Sequence, residues 1–308
     1  MNRYGLTTTL ILVAAVGAFA ARGLAASESG EAGTRTLALA SRGSGKAEIL
    51  VVREDGKRLR QLTRNGAADY FPVWSPDRRR LAFVSDRDGD DDIYVMDADG
   101  RNVRQLTRDR RDARLQDAMP AWSPDGRRIA FASNRTGGEL ELYMMNADGT
   151  NVRRLTRTKT WVMDGTPAWS PDGRLILFAT NRHGYFNMEL YTMRPDGTGL
   201  RRLTRTGGSD GNPKDEGTPE WSPDGSRIAF ATNRDRQQEI YVMDADGKNQ
   251  RRVTRATGRD DILPRWSPDG GTIAYVGTTP AGISSVYLVD AEGGASRKLS
   301  VGSDPSWR

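Results

Sequence analysis

The chain has 308 residues, no cysteine and a single histidine, His183. Disulfides, thiolate metal sites and thiol nucleophiles are therefore excluded, as is any metal centre built on several histidines of one chain. The 46 basic and 40 acidic residues, a net charge of +6, alternate in sign along the whole length, which suits a well-solvated surface and not a nucleic-acid stripe.

In chain order, the first element is a leader. Asn2 and Arg3 precede an apolar and threonine run from Leu6 to Ala20, and small residues follow, with Ala18-Phe19-Ala20 and Gly23-Leu24-Ala25 as candidate cleavage sites. This is the plan of a secretory signal peptide over residues 1–25. The run is short for a membrane span, and no cysteine follows it to take a lipid. A linker, residues 26–35, comes next. The expected mature chain is periplasmic or secreted, with no membrane span after cleavage.

From residue 36 to 308 a repeat takes over. Trp-Ser-Pro-Asp occurs five times, at Trp74, Trp122, Trp169, Trp221 and Trp266, spaced 48, 47, 52 and 45 residues apart. A shortened copy, Pro305-Ser306-Trp307, stands at the end. Such a period with all-strand content predicts an all-β propeller of four-stranded antiparallel blades.

Residues 118–156 illustrate one blade. Met119–Trp122 reads as the inner strand, Ser123-Pro124-Asp125-Gly126 as a tight turn, Arg128–Ser133 as the second strand, Leu140–Asn146 as the third, Ala147-Asp148-Gly149 as another turn and Val152–Thr156 as the outer strand. The same plan recurs at 70–107, 165–204, 217–254 and 262–299. Ile93-Tyr94-Val95-Met96 and Ile240-Tyr241-Val242-Met243 show no in–out alternation, as expected of a blade buried on both faces. Arg153-Arg154 and Arg201-Arg202 put charge on the one exposed edge, where it discourages edge-to-edge pairing. Residues 36–63 hold a second, third and fourth strand but no first. Pro305-Ser306-Trp307 supplies it, so the two chain ends share a blade and the count is six.

The Trp-Ser-Pro-Asp-Gly turn, the Ile-Tyr-Val-Met-Asp strand and the Arg-Leu-Thr-Arg ending together resemble the TolB-type propeller family, over about 270 residues. The resemblance implies a periplasmic propeller of the Tol–Pal envelope system that binds a lipoprotein partner. About ten residues separate the leader from the first blade, so the N-terminal α/β domain of that family is not expected. The same blade motif also occurs in propellers attached to serine peptidases and in pectate-degrading lyases.

Chain direction puts the Ser-Pro-Asp-Gly and Ala-Asp-Gly turns on one face, here the turn face. The loops between second and third strands and between blades fall on the other, the loop face. The loop-face segments vary, and adaptable loops on a rigid frame are where binding sits. An acid stands three residues before the inner-strand proline in five blades: Asp69, Asp117, Asp164, Glu216 and Asp261. The remaining blade has Gly302 there and Asp304 beside its proline. An arginine stands at the end of the second strand: Arg42, Arg87, Arg135, Arg182 and Arg234, with Thr279 in the sixth blade. Two readings follow. The pairs hold blade register, or the acids ring the channel mouth as a funnel for a calcium ion or a basic segment of a protein partner. Asp88-Gly89-Asp90-Asp91-Asp92 reads as a solvated acidic loop; it lacks the spacing of a calcium loop. Trp161, Tyr185 and Phe186 are loop aromatics of the kind that anchors partners.

Catalysis is not expected. Gly207-Gly208-Ser209-Asp210-Gly211 spells a nucleophile elbow but has no strand before it or helix after it. Gly43-Ser44-Gly45-Lys46 lacks the rest of a phosphate loop. No residues remain for a hydrolase domain, and one histidine cannot supply the histidine-rich metal site that the lyase resemblance implies. The expectation is a monomeric, non-catalytic, protein-binding scaffold without a cofactor. The alternative is a carbohydrate-binding propeller or a degraded polysaccharide-lyase relative.

Overall fold

The computed structural model describes residues 35–42, 45–108, 115–159, 161–184, 187–206 and 216–308. The leader, most of the linker, Tyr185, Phe186 and the Gly207–Gly211 spelling lie outside them, as does the Arg42 side chain.

The described strands form six four-stranded antiparallel sheets. Blade 1 consists of Thr36–Arg42, Ala47–Arg53 and Arg58–Gln61, with Ser303–Trp307 as its innermost strand. Leu37 pairs with Trp307 and Ala38 with Ser306, so the last strand closes the ring as the sequence predicts. The other innermost strands are Asp69–Trp74, Asp117–Trp122, Asp164–Trp169, Glu216–Trp221 and Asp260–Trp266, for blades 2 to 6. The second and third strands carry the core. Every residue of Ile176–Thr180 and of Glu189–Met193 is buried, the mark of a sheet covered on both faces.

The repeated motifs have identifiable work. In blade 3, Ser123 Oγ donates to Asp125 Oδ1 (2.5 Å) and accepts from the Arg128 amide (2.9 Å), which locks the Ser-Pro-Asp-Gly turn. Trp122 packs toward blade 2, where Arg80 lies over its ring at 5.0 Å and its Nε1 donates to the Val73 carbonyl (3.2 Å). The threonine of the Arg-Leu-Thr ending turns back into the sheet: Thr204 Oγ1 accepts from the Leu190 amide (2.9 Å) and donates to Glu189 (2.5 Å).

The outer strands of blades 2 to 5 are only two residues long, for example Arg153–Arg154. The sequence reading took this strand to Thr156. The Leu155 and Thr156 amides both turn to the Leu142 carbonyl (2.7 and 3.3 Å), and the regular ladder ends there.

Each innermost strand carries a bulge before its proline. Between Tyr70 and Val73 three steps oppose two on the neighbouring strand, Val84 to Ala82. The residue before the proline has positive φ in all six blades: Phe71, Met119, Thr166, Thr218, Leu263 and Asp304, at 48–57°. The bulge reorients the strand, so the positions on either side of it face differently.

Candidate functional site: the central channel and its loop-face mouth

The innermost strands surround a channel of about 1230 Å³. All six positive-φ residues line it. Its wall is mixed. Blades 2 to 4 contribute Phe71, Val73, Met119, Ala121 and Ala168 together with Asp86, Asp91, Glu139 and Thr166; blades 5, 6 and 1 contribute Thr218, Glu220, Leu263, Arg265 and Asp304. Several polar residues here accept amides from the next blade's inner strand. Glu220 Oε2 accepts from the Trp266 amide (2.5 Å), Thr218 Oγ1 from the Leu263 amide (3.2 Å) and Ser306 Oγ from the Trp74 amide (3.2 Å). Desolvation pushes the Glu220 carboxyl up to about 7, against the pull of Arg265 and the Trp266 amide. Burial likewise raises Asp304 to about 6, opposed by its Ser303 hydrogen bond and by Arg265.

The five repeated acids are not a ring of open carboxylates at the channel mouth. Asp69, Asp117, Asp164, Glu216 and Asp261 are each 0–1% exposed. Of the five, Glu216 alone contributes to the channel wall. Because the acid precedes the bulge, it faces into its own blade and meets an arginine. Arg87 reaches Asp69 at 3.0 Å, Arg135 reaches Asp117 at 2.7 Å, Arg182 reaches Asp164 at 3.1 Å, and Arg234 pairs with Glu216. The arginine also stacks over two rings of its blade. Arg135 lies 5.2 Å from the Phe131 centroid and 5.0 Å from that of Tyr143, and its Nε donates to Ser133 Oγ (3.0 Å). Arg87, Arg182 and Arg234 repeat this on Phe83/Tyr94, Phe178/Tyr191 and Phe230/Tyr241. Desolvation raises the carboxyls of Asp164 and Glu216 despite the arginine beside each.

Blade 6 reaches the same result by a different route that the sequence reading missed. Arg259, two residues before the acid, pairs with Asp261 at 2.8 Å and stacks 4.0 Å from the Tyr287 centroid. Desolvation raises Asp261 to about 6, with Arg259 opposing. Gly277 stands where the other blades have Ser85, Ser133, Thr180 or Thr232. A Cβ there would lie 2.9 Å from Arg259 Cδ and 2.8 Å from Tyr287 Cε2, so the glycine makes room for the displaced arginine. The signals were Thr279 in the arginine position and Gly277 in the hydroxyl position.

The Asp88–Asp92 run is not a solvated loop. Asp90 and Asp92 are buried, and Asp88, Asp90 and Asp92 each offer one oxygen within 4.8 Å of the others. Asp92 is held by Gln105 (2.8 Å) and Thr107 (2.7 Å), and burial pushes it up to about 7. Asp91, in a hydrogen bond with Tyr70, is raised by the same cause.

Trp161, 40% exposed, lines the loop-face mouth together with Met163, Met188 and Ile283. His183 is exposed and stacks on Tyr191 at 5.9 Å; its pKa is lowered by desolvation first and then by Arg202 and Arg182. No helix among the described residues is long and apolar enough to cross a membrane.

Six four-stranded blades around an open channel, closed by pairing the two chain ends, define the six-bladed β-propeller class. The chain belongs to the TolB β-propeller domain family, whose model matches residues 14–119, 112–216 and 213–307. Among solved structures it is similar to TolB from Acinetobacter baumannii (21% identity, TM-score 0.75), with 89% of this chain and 66% of that one covered. It is also similar to a putative TolB from Agrobacterium tumefaciens (22%, TM-score 0.68; 88% and 91% covered). The fold extends to an oligogalacturonate lyase from Vibrio parahaemolyticus (17%, TM-score 0.53; 87% and 73% covered). The chain thus spans just under two thirds of the Acinetobacter TolB. No curated protein matches the sequence.

Proposed function

We propose that this protein is a non-catalytic, TolB-like scaffold, periplasmic or secreted and associated with the cell envelope, that binds a protein partner at the loop-face mouth of its channel. The observation that carries the reading is the mouth itself. Trp161 and Ile283 are large apolar side chains left 40% and 42% exposed beside an open channel, on the face where the loops vary. Exposed aromatic and aliphatic anchors at a concavity are the usual energetic centre of a protein interface. In this reading the acid–arginine pairs of blades 2 to 6 are the frame beneath the binding face, holding the loop ends in register. The non-catalytic assignment rests on chemistry: His183, the one histidine, stacks on a tyrosine and makes no ion pair with a carboxylate among the described residues.

Site-specific photo-crosslinking in envelope extract tests it. A crosslinker at Trp161 or Ile283 should capture a discrete protein partner, and one at Arg127 or Arg174 on the turn face should not. Capture from the turn face alone, or turnover of pectate, peptides or esters that tracks the purified protein, would overturn the reading.

A further inference from the structure

The turn between third and fourth strands is built alike in blades 1 to 5 and differently in blade 6. In the first five, the aspartate of the Asp-Gly pair caps the main-chain amide two residues on. Asp55 accepts from Lys57 (2.9 Å), Asp99 from Arg101 (3.0 Å), Asp148 from Thr150 (2.9 Å), Asp196 from Thr198 (2.9 Å) and Asp246 from Lys248 (3.0 Å). The carbonyl of the capped residue then closes the turn, as that of Lys248 does for the Asp244 amide (2.9 Å). In blade 6 the aspartate is replaced by Glu292, whose carboxylate is drawn away to Arg227 (2.6 Å) and Arg251 (2.8 Å). Among the described residues no bond from the Asp290 amide to the Gly294 carbonyl closes this turn, and the main-chain amides of Gly294, Ala295 and Ser296 have no acceptor.

The same stretch leaves an arginine with a donor to spare. In blade 5, Gln250 accepts from Nη1 of the clamp arginine Arg234 (2.6 Å). The counterpart of Gln250 in blade 6 is the shorter Ser296, which hydrogen-bonds Tyr275. Arg259 donates through Nε to Asp261 (2.8 Å) and through Nη2 to Tyr275 (2.8 Å), while its Nη1 has no acceptor among the described residues. These groups line one cleft of about 470 Å³ between the outer strand of blade 5 and the last turn of blade 6. It shares no lining residue with the channel. Arg255 and Thr257, from the segment leaving blade 5, complete it; both are exposed, and Arg255 makes no ion pair among the described residues. No carboxylate lines the cleft. Asp261 and Glu239, which are bonded to Arg259 and to the Ala256 amide, are buried.

We infer that this cleft binds a phosphoryl group, as inorganic phosphate or as a phosphomonoester. Its polar equipment is of one kind: two guanidiniums, three main-chain amides and the Thr257 hydroxyl, all of them donors. Guanidinium forks match phosphate oxygens in pairs, and successive main-chain amides form anion-binding concavities. Asp261 offsets the charge of Arg259, so Arg255 supplies the net positive charge. A tetrahedral oxyanion offers acceptor oxygens in more directions than a planar carboxylate, which suits donors arriving from two separate segments. The cleft leaves room beside the phosphoryl group for the alcohol of a monoester. Both departures of blade 6 from the repeat, the displaced clamp arginine and the uncapped turn, thus converge on one place.

Calorimetric titration of the purified protein tests it, together with the amide resonances of Gly294, Ala295 and Ser296. The probes are inorganic phosphate, glycerol 3-phosphate, acetate, and vesicles containing phosphatidic acid. The forms are the wild type, Arg255→Gln, Glu292→Asp and the control Arg205→Gln, which removes the same charge from the corresponding exposed position of blade 4. Glycerol 3-phosphate should bind the wild type and Arg205→Gln alike and shift the three amides. Arg255→Gln should bind it about tenfold or more weakly, the size expected for losing one charged hydrogen-bond donor. Glu292→Asp keeps the net charge but returns the turn cap of the other blades, and should also bind more weakly. Both changes fall on exposed side chains, so the melts should stay near that of the wild type. Acetate should bind more weakly than either phosphate. Vesicle binding that Arg255→Gln abolishes would give the monoester a lipid source, and binding of the free phosphates alone a soluble one. No binding of either phosphate, equal losses in Arg205→Gln and Arg255→Gln, unchanged binding by Glu292→Asp, or acetate held as tightly as phosphate would each overturn the inference.

Discussion

Blades 2 to 5 each bury a carboxylate three residues before the proline of the innermost strand and pair it with an arginine; blade 1 has Gly302 there, and its buried Asp304 stands beside the proline without an ion pair among the described residues. Where the acid is present, an arginine, two aromatic rings and a Ser or Thr hydroxyl accompany it. Where it is absent, the rings are replaced too, although Ser41 keeps the hydroxyl, which donates to the Val301 carbonyl (3.2 Å). Blade 1 has Gly302 in the acid position, and a Cβ there would fall 2.6 Å from the Ala40 carbonyl oxygen. Leu39 and Leu50 fill the space of the rings. Blade 6 rebuilds the set around an arginine from another loop. The lesson is energetic. A carboxylate taken out of water is costly unless its counter-charge and hydrogen bonds are in place, so in blades 2 to 6 the acid and its arginine come together. Blade 1 instead depends on joining the chain ends.

That contrast breaks most sharply at the closure. Deleting residues 301–308 removes the innermost strand of blade 1, the Ser306 acceptor for the Trp74 amide, and Trp307, whose Nε1 donates to the Arg265 carbonyl (3.0 Å). Trp307 is partly buried and packs on the blade 1 core; losing a fully buried aromatic costs about 3–5 kcal/mol, a domain's whole stability is about 5–15 kcal/mol, and here a whole strand goes with the ring. The truncated protein should be insoluble or melt far lower. An unchanged melt would refute closure as the support of blade 1.

The clamp is tested next by Arg135→Ala, which strands Asp117 in the interior. Breaking a buried pair from one side costs roughly 3–5 kcal/mol, and the melting temperature should fall by roughly 6 °C or more. Removing both partners together, with Asp117→Leu/Arg135→Leu, should cost less than the single change. Additive losses would mean the two residues do not act as a pair.

Blade 6 offers a finer cut. Gly277→Ser restores the hydroxyl of the other blades but drives Cβ into Arg259 and Tyr287, and should cost about 1–3 kcal/mol by overpacking. Adding Thr279→Arg and Arg259→Ala converts the clamp to the form of blades 2 to 5 and should recover much of the loss in a thermal melt. Failure of the triple change to improve on Gly277→Ser would show that the two routes are not equivalent.

The smallest expected effect is in pH. Asp92 and Glu220 are raised to about 7, and Asp261 and Asp304 to about 6. Each holds its proton more tightly folded than unfolded. The folded state therefore carries more protons between roughly pH 4 and 7, and stability should fall as pH rises through that window. Glu220→Gln should flatten the melting profile there and leave it unchanged below it. A parallel profile would show that Glu220 titrates normally.

Most of the fold was legible because its signals are local and repeated. The Ser-Pro-Asp-Gly and Ala-Asp-Gly turns mark the strand ends, and the unalternating apolar runs mark strands buried on both faces. The orphan Pro305-Ser306-Trp307 could be matched to the one strand missing from blade 1. The site was legible as positions but not as directions. Spacing located Asp117 and Arg135 in the blade. It did not reveal the bulge at Met119 that turns the channel-facing side away from Asp117, because a proline two residues before the tryptophan carries no sign in the sequence of a positive φ before it. Arg259 was hidden because its partnership crosses from a loop to a strand with no counterpart in the other blades.

The account separates a buried frame from an exposed mouth, and one paired measurement tests that separation. Partner capture by a crosslinker at Trp161 is measured for the wild type, for Asp117→Asn/Asp164→Asn and for Ile283→Ser, and all three proteins are melted. The account predicts that the frame variant melts lower yet captures the same partner, and that the mouth variant, changed at an exposed side chain, melts as the wild type yet captures less. A frame variant with an unchanged melt and lost capture, or a mouth variant with intact capture, would contradict it.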